Sequence, residues 1–402
     1  MEGIKDKVAI IGMGCTRFGE LWEKDIQDLI VEAAYEAFED AGVHPGDIEA
    51  AWFGTYLSGY TGQILSKALG LKYVPVTRVE NMCATGSDAF RNACYAVACG
   101  SCNIALVLGA EKLKDFGTSG LPDTELVMGT WTGSQQRTFR AQTFTAPAHY
   151  ALMAIAYFNK YRIPPDEGKR LLAMIAVKNH YNGSLHPKAH FQKAVQLEDV
   201  LKAPIIAWPL GLFDCCGVSD GAAAAVICRA DMARNFKPDP IYVKALQISV
   251  GPQEGYRSPK YEWDHVEETH RAGLAAYKEA GVTDPRRQIS IAEVHDCFTI
   301  TEMVIYEDLG FCPRGKAGED IRAGTFELTG ELPVNTDGGL KCFGHPIGAS
   351  GLRMLYEVYH QLREKAGPRQ IRNPSLGLVH NLGGTPGAGT VSVIIVGNEK
   401  DS

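Results

Sequence analysis

The sequence predicts an α/β protein of two related halves, built on mixed, mostly parallel sheets with helices on both faces. Three observations carry that prediction. Short apolar runs alternate with amphipathic stretches along the chain, the pattern of a parallel sheet crossed by helices. Ala37-Phe38-Glu39-Asp40-Ala41-Gly42-Val43 has an echo in Ala276-Tyr277-Lys278-Glu279-Ala280-Gly281-Val282. Each half also sets a reactive residue before a glycine-rich turn that opens a helix, Cys83 before Gly86 and His345 before Gly348.

Taken in order, Val8 to Ile11 reads as a short strand, and Asp25 to Ala41 as an amphipathic helix closed by Gly42. Val76 to Glu80 is a strand entered at Pro75, and a helix follows from Gly86 or Ser87. Ile104 to Gly109 is a buried strand ending at glycine. The pattern then changes. Gly117 to Thr145 is polar and rich in Gly and Thr, with helices expected over 147–161 and 165–181. This stretch reads as an insertion that carries substrate. The Ala-rich run from Gly221 closes the first half, as Gly387 to Val391 closes the second, while Leu376 to Val379 and Val391 to Gly397 supply strands. The expected division is 1–111 with 208–238, an inserted 112–207, and 239–402, with the active site between the halves.

Composition sets bounds on function. The chain has 402 residues, 45% hydrophobic and 22% charged, as in a soluble globular protein. A net charge of −7 without a Lys/Arg cluster argues against nucleic acid and anionic membranes as partners. No apolar stretch approaches the roughly 20 residues of a membrane helix, and the charged opening Met1 to Lys7 is not that of a signal peptide. Eleven cysteines then read as reduced thiols in the cytoplasm. The C-x4-C-x2-C spacing of Cys94, Cys99 and Cys102 occurs in iron–sulfur proteins, but in a small-residue helix Cys is a compact apolar filler.

Four segments carry chemistry: Asn81 to Gly86, His295-Asp296-Cys297-Phe298, Gly344-His345-Pro346-Ile347-Gly348, and His380-Asn381-Leu382-Gly383-Gly384. Together they supply what carbon–carbon bond chemistry on thioesters requires: a sulfur to carry an acyl group, a second group to move protons, and donors for two oxyanions. Cys83 precedes a helix N-terminus, whose dipole is expected to lower its pKa. His345, in a constrained turn, is placed to take the Cys83 proton or to donate to a thioester oxygen. An extended chain puts His295 and Cys297 on one side, the first as an oxyanion donor and the second as acid/base. Bare backbone at Gly383 offers a second oxyanion donor. His380 reads equally as structural.

These four segments resemble those of the thiolase superfamily, most closely the sterol-carrier-protein-2 type and its archaeal and bacterial relatives, in the same order along essentially the whole chain. The resemblance implies duplicated halves layered αβαβα, with a loop domain over the substrate. It makes Cys83 the acylated nucleophile and His345 its activator and first oxyanion-hole donor. The cysteine of the family's C-x-G motif is missing, and in the sterol-carrier type the HDCF cysteine replaces it, so Cys297 takes the acid/base role and His295 the oxyanion role. Cys216 stands where a serine usually contacts the pantetheine arm, and His149 and Tyr150 fall where the loop domain touches it.

The resemblance further implies coenzyme A and acyl-CoA as substrates, with no permanently bound cofactor and no metal. It implies a homodimer or higher oligomer, and a possible small zinc-ribbon/OB-fold partner protein. The acyl group stays open among acetoacetyl-CoA, longer 3-oxoacyl-CoAs and an aryl substrate such as benzoylsuccinyl-CoA. Phe116, Trp131, Phe139, Phe144 and Tyr150 are aromatics of the insertion that suit a bulky acyl group, although ordinary core and dimer contacts account better for most of them. A condensing synthase of the superfamily and a scaffold subunit are the competing readings.

Overall fold

The computed structural model of the protein describes residues 3–116, 145–258 and 260–401. Trp131, Phe139, Phe144 and the side chain of Phe116 lie outside the described residues. Among the described residues no helix is long and apolar enough to cross a membrane.

In the first half, β1 (Val8–Cys15) leads to α1 (Ile26–Ala41), β2 (Ala50–Gly54), β3 (Val76–Val79), α2 (Thr85–Ala98) and β4 (Ile104–Glu111). The chain then leaves the sheet for α3 (Ala146–Lys160), α4 (Pro165–Ser184) and a small hairpin of β5 (Ile205–Ala207) and β6 (Leu210–Gly211). It returns as β7 (Gly221–Arg229), directly beside β4. The second half runs β8 (Ile241–Val250), α5 (Glu267–Ala280), β9 (Ile291–Val294), α6 (Thr299–Asp308), α7 (Gly339–Phe343), α8 (Ile347–Leu362), β10 (Leu376–Thr385) and β11 (Ala388–Gly397). The echo noted in the sequence is the end of α1 and of α5, each closed by a glycine in the left-handed region, Gly42 at φ +69° and Gly281 at φ +83°.

The large sheet orders as β3-β2-β4-β7-β1-β8-β11-β10-β9. Counted outward from the β1–β8 join, both halves repeat one order, and each has a single reversed strand, β7 or β11. The remaining strands of each half run the same way, as expected. Each reversed strand is interior and so makes two antiparallel ladders. A sheet whose halves are mostly parallel in direction thus contains only three parallel neighbour pairs against five antiparallel ones.

Strand alternation builds the layers. Ala222, Ala224 and Val226 of β7 pack with Leu29, Ala33 and Ala37 of α1 in one apolar cluster. Ala223, Ala225 and Ile227 face the other way, into the cluster of Ala89, Phe90 and Ala93 of α2. On the far side α5 packs on β8 and β11. Helix α8 lies at the centre, touching α2, β4 and β7 of the first half and β9 and β10 of the second. It is buried on nearly every side, and its polar residues Ser350, Arg353, Glu357 and Gln361 are buried with it and hydrogen-bonded inside the protein.

The contact of α8 with the first half works only with glycine. A Cβ on Gly348 would stand 2.5 Å from the Gly54 carbonyl oxygen, and one on Gly86 2.7 Å from that of Gly348. Gly348→Ala is therefore expected to cost about 1–3 kcal/mol in a denaturant titration, the usual size of overpacking. Unchanged stability would show that the contact can yield.

Candidate active site

Two loops meet at the N-terminal ends of α2 and α8. After β3 the chain turns through Asn81 and Met82, with Met82 at φ +50°, an uncommon conformation for a non-glycine residue. Hydrogen bonds tie this turn: Asn81 N–H to Thr85 Oγ1 at 2.9 Å and Thr85 N–H to the Met82 carbonyl at 3.0 Å. Cys83 follows at once. Opposite, Gly344 at φ +121° turns the end of α7 into His345-Pro346, and α8 starts at Ile347.

His345 Nε2 lies 3.2 Å from Cys83 Sγ. Its Nδ1 is 2.7 Å from Ser350 Oγ, and that hydroxyl donates to the Pro346 carbonyl at 2.9 Å. Ser350 has only one proton to give, so Nδ1 carries the imidazole hydrogen and Nε2 accepts from the thiol. Burial, and then the Arg353 charge, push His345 down to about 3. Burial pushes the Cys83 thiol up to about 12, against hydrogen bonds from the Gly384 and Cys83 amides. The resting pair is therefore a neutral thiol on a neutral imidazole. The sequence expects a helix-lowered thiol, whereas burial of the sulfur acts in the opposite direction and raises it.

His295 stands beside this pair, its ring centroid 5.3 Å from that of His345 and nearly perpendicular. Asn381 Nδ2 donates to His295 Nδ1 at 3.2 Å, which leaves Nε2–H as a donor. Burial keeps the His295 imidazole neutral, reinforced by His345 and His380. Cys83 Sγ and one nitrogen of each histidine fall within 4.8 Å, the one group with metal-ligand spacing found among the described residues.

After β9 the chain alternates as the sequence predicts. Asp296 turns away from Cys83 and accepts from the Leu340 N–H at 2.6 Å, anchoring the start of α7. Cys297 turns back toward the site. Burial raises its thiol far above the ordinary range, with Cys216 and Cys83 adding to the effect, while the Thr301 and Tyr150 hydroxyls act in opposition. The Cys216 N–H bonds the Cys297 carbonyl at 2.9 Å, and Tyr150 packs at a 30° tilt against Phe298 and donates to the Gly384 carbonyl at 3.2 Å. His149, one residue earlier in the first turn of α3, sets Nδ1 3.2 Å from the Thr145 carbonyl.

Gly383 lies against the Cys83 loop, where a Cβ would sit 2.4 Å from the Asn81 carbonyl oxygen. The amide that hydrogen-bonds the sulfur is one residue on, at Gly384, whose carbonyl also points away from β11 to Tyr150. By the alternation of an antiparallel ladder, the Gly383 amide faces β11. Gly383 is thus the residue of close approach and Gly384 the donor. His380 is structural: Nδ1 accepts from the His295 N–H at 3.4 Å and Nε2 meets Thr269 Oγ1 at 2.9 Å.

Sequence reasoning passed over Ser350, Asn381 and Arg353. Ser350 lies one helical turn past the His345 motif and meets His345 and Pro346 locally, whereas Asn381 sits inside a motif already singled out and its partner His295 is remote in sequence. Arg353, fully buried on α8, binds Glu293 at 2.8 Å and Asp337 at 2.5 Å, so one guanidinium ties the strand before His295 to the turn that opens α7. No local pattern marks such a residue.

Residues 8–231 match the family described as "Thiolase, N-terminal domain", and residues 257–396 match "Thiolase C-terminal domain-like". The chain belongs to the thiolase family. It is 38% identical to an acetyl-CoA acetyltransferase of Methanothermobacter thermautotrophicus, over 96% of this chain and 98% of the relative. It is 31% identical to the benzoylsuccinyl-CoA thiolase subunit BbsB of Thauera aromatica, over 95% and 96% of the two chains. Among solved structures, the Ltp2-ChsH2(DUF35) aldolase superposes with a TM-score of 0.84 over 99% of both chains at 24% identity, a likeness of fold. The protein is thus an enzyme of the thiolase class, whose members act on coenzyme A thioesters without a permanent cofactor.

The neutral resting pair of this thiolase has a kinetic signature. Alkylation of Cys83 by iodoacetamide, followed by intact mass, is expected to accelerate steadily from about pH 6 to about pH 10, because a raised thiol pKa lets the thiolate fraction grow throughout that range. A plateau below about pH 8 would reveal a preformed thiolate–imidazolium pair.

Proposed function

We propose that this thiolase cleaves a 3-oxoacyl-CoA with coenzyme A, or runs the reverse Claisen condensation, through an acyl-Cys83 intermediate. The 3.2 Å contact between Cys83 and His345, with His295 beside it, carries the reading. His345 Nε2 takes the Cys83 proton as the sulfur attacks the 3-oxo carbon. The bond between carbons 2 and 3 breaks, and its electron pair leaves as the enolate of the shorter thioester. His295 Nε2–H and the newly protonated His345 donate to that enolate, and Cys297 gives carbon 2 its proton.

In the second half, the Cys297 thiolate takes the proton of incoming coenzyme A, whose sulfur attacks the acyl carbonyl. The Cys83 and Gly384 amides hold the tetrahedral oxyanion, and Cys83 leaves with the proton kept on His345. Each preorganised donor contributes roughly 3 kcal/mol to such a barrier. Residues 112–207 act as the loop domain, with His149, Tyr150 and Cys216 toward the pantetheine arm. An acetyl or an aryl acyl group suits the relatives named above equally.

A second reading concerns assembly. The names of the Ltp2-ChsH2(DUF35) aldolase and of a thiolase "subunit" both describe more than one polypeptide, which favours a small zinc-ribbon/OB-fold partner besides self-association. Cytoplasmic thiolysis within acyl-CoA breakdown is the setting that fits reduced catalytic thiols.

Thiolysis of short, long and aryl 3-oxoacyl-CoAs, with intact-mass analysis of the enzyme, tests the proposal. Turnover with an acyl adduct on Cys83 supports it, and turnover that survives Cys83→Ala overturns it. Cys297→Ala is expected to lower turnover about 100-fold or more while Cys83 still becomes acylated, since only proton transfer is removed. Adduct without turnover in the wild-type chain, relieved by an added partner, would favour the second reading.

A further inference from the structure

We propose that the Tyr56 hydroxyl donates a hydrogen bond to an uncharged oxygen on the acyl group carried by Cys83, so that Tyr56 selects the acyl substrate. This inference rests on the acyl-Cys83 reading above. Tyr56 lies just past the end of β2, in a loop wrapped around one carboxylate. Glu111 accepts from the amides of Tyr56 at 2.7 Å, Leu57 at 3.2 Å and Ser58 at 3.4 Å, and from the Thr55 hydroxyl. These bonds fix the backbone from which the ring projects. The ring is 6% exposed and joins Leu113 and Ile347 in a small apolar cluster, against which Cys83 and Met82 pack.

Within that cluster the phenol oxygen is buried and has no hydrogen-bond partner among the described residues. Buried donors are nearly always satisfied in folded proteins, so an orphan beside the acyl-carrying sulfur calls for a partner supplied by the substrate. The carbonyl of an acyl-Cys83 has its own donors in the Cys83 and Gly384 amides. Tyr56 is therefore left for an oxygen farther along the acyl group.

The surroundings also limit what that oxygen can be. Burial, and then Cys83, Glu80 and Glu111, push the phenol up to about 12, so it stays protonated and donates. The Glu80 carboxylate disfavours a second carboxylate on the acyl group, and Glu111, which burial pushes up to about 7, adds a smaller repulsion. A hydroxyl, ketone or ether oxygen fits, whereas a plain alkyl chain leaves the phenol unpaired. Sites built to hydrogen-bond a substrate group discriminate strongly against analogues that lack it.

The test uses pairs of coenzyme A thioesters that differ by oxygen for methylene: methoxyacetyl against butanoyl, and methoxypropanoyl against pentanoyl. The rate of Cys83 acylation is read by intact mass. Wild-type enzyme is expected to prefer the ether member of at least one pair by about tenfold or more. Tyr56→Phe is expected to remove that preference while acylation by the alkyl member stays within about twofold, which also shows an intact fold. Equal rates within both pairs, or a Tyr56→Phe enzyme that loses both members alike, overturn the inference and leave the acyl-enzyme standing. No adduct on Cys83 from any of the four overturns both.

Discussion

Glycines 86 and 348 let the first turns of α2 and α8 touch at backbone distance, and the chemistry of this thiolase hangs on that approach. Cys83 precedes one helix by two residues and His345 precedes the other by two, so a wider spacing of the axes would open the 3.2 Å contact directly. Glycine is required here for the space a Cβ would occupy. The duplicated architecture explains the symmetry: each half delivers one helix start to the centre, and each helix start delivers one reactive group.

Burial then decides the protonation states. A thiol and two imidazoles enclosed together shed charge, because the low-dielectric interior penalises thiolate and imidazolium alike. The one guanidinium nearby, Arg353, is compensated by Glu293 and Asp337, and it acts on His345 in the same direction as burial. In the proposed mechanism charge appears only during reaction, and the N–H groups of Cys83, Gly384 and His295 are the donors assigned to meet it. Removing one member of the buried Arg353 group would strand the others, which makes that group a brace between the two histidine loops as well as a source of field.

The loop after β9 shows how a period of two serves function. His295 and Cys297 turn to the site while Asp296 between them turns to the amides opening α7, so one short segment supplies two reactive groups and its own anchor. Asn381 and His380 on β10 hold the same segment from the neighbouring strand, one through the His295 side chain and one through its amide.

The sequence by itself determined the α/β class, the strands and helices that bound each loop, and the choice of Cys83, His295, Cys297 and His345 as the candidates that the fold then brings together. Those follow from periodicity, capping glycines and reactive residues set at turns, all readable within a few neighbours. It misjudged the state of Cys83, because a helix start is visible locally whereas desolvation depends on everything packed around the sulfur. It also stopped one residue short at Gly383, since strand alternation relative to β11 chooses the free amide. Only the tertiary structure decided that Asn381 sets the His295 tautomer, that Arg353 joins Glu293 to Asp337, and that Tyr56 keeps a hydroxyl beside Cys83 without a partner among the described residues. Each of these joins residues well separated in the chain, and packing alone brings them together, whereas the Ser350 bond that sets the His345 tautomer is local to the start of α8.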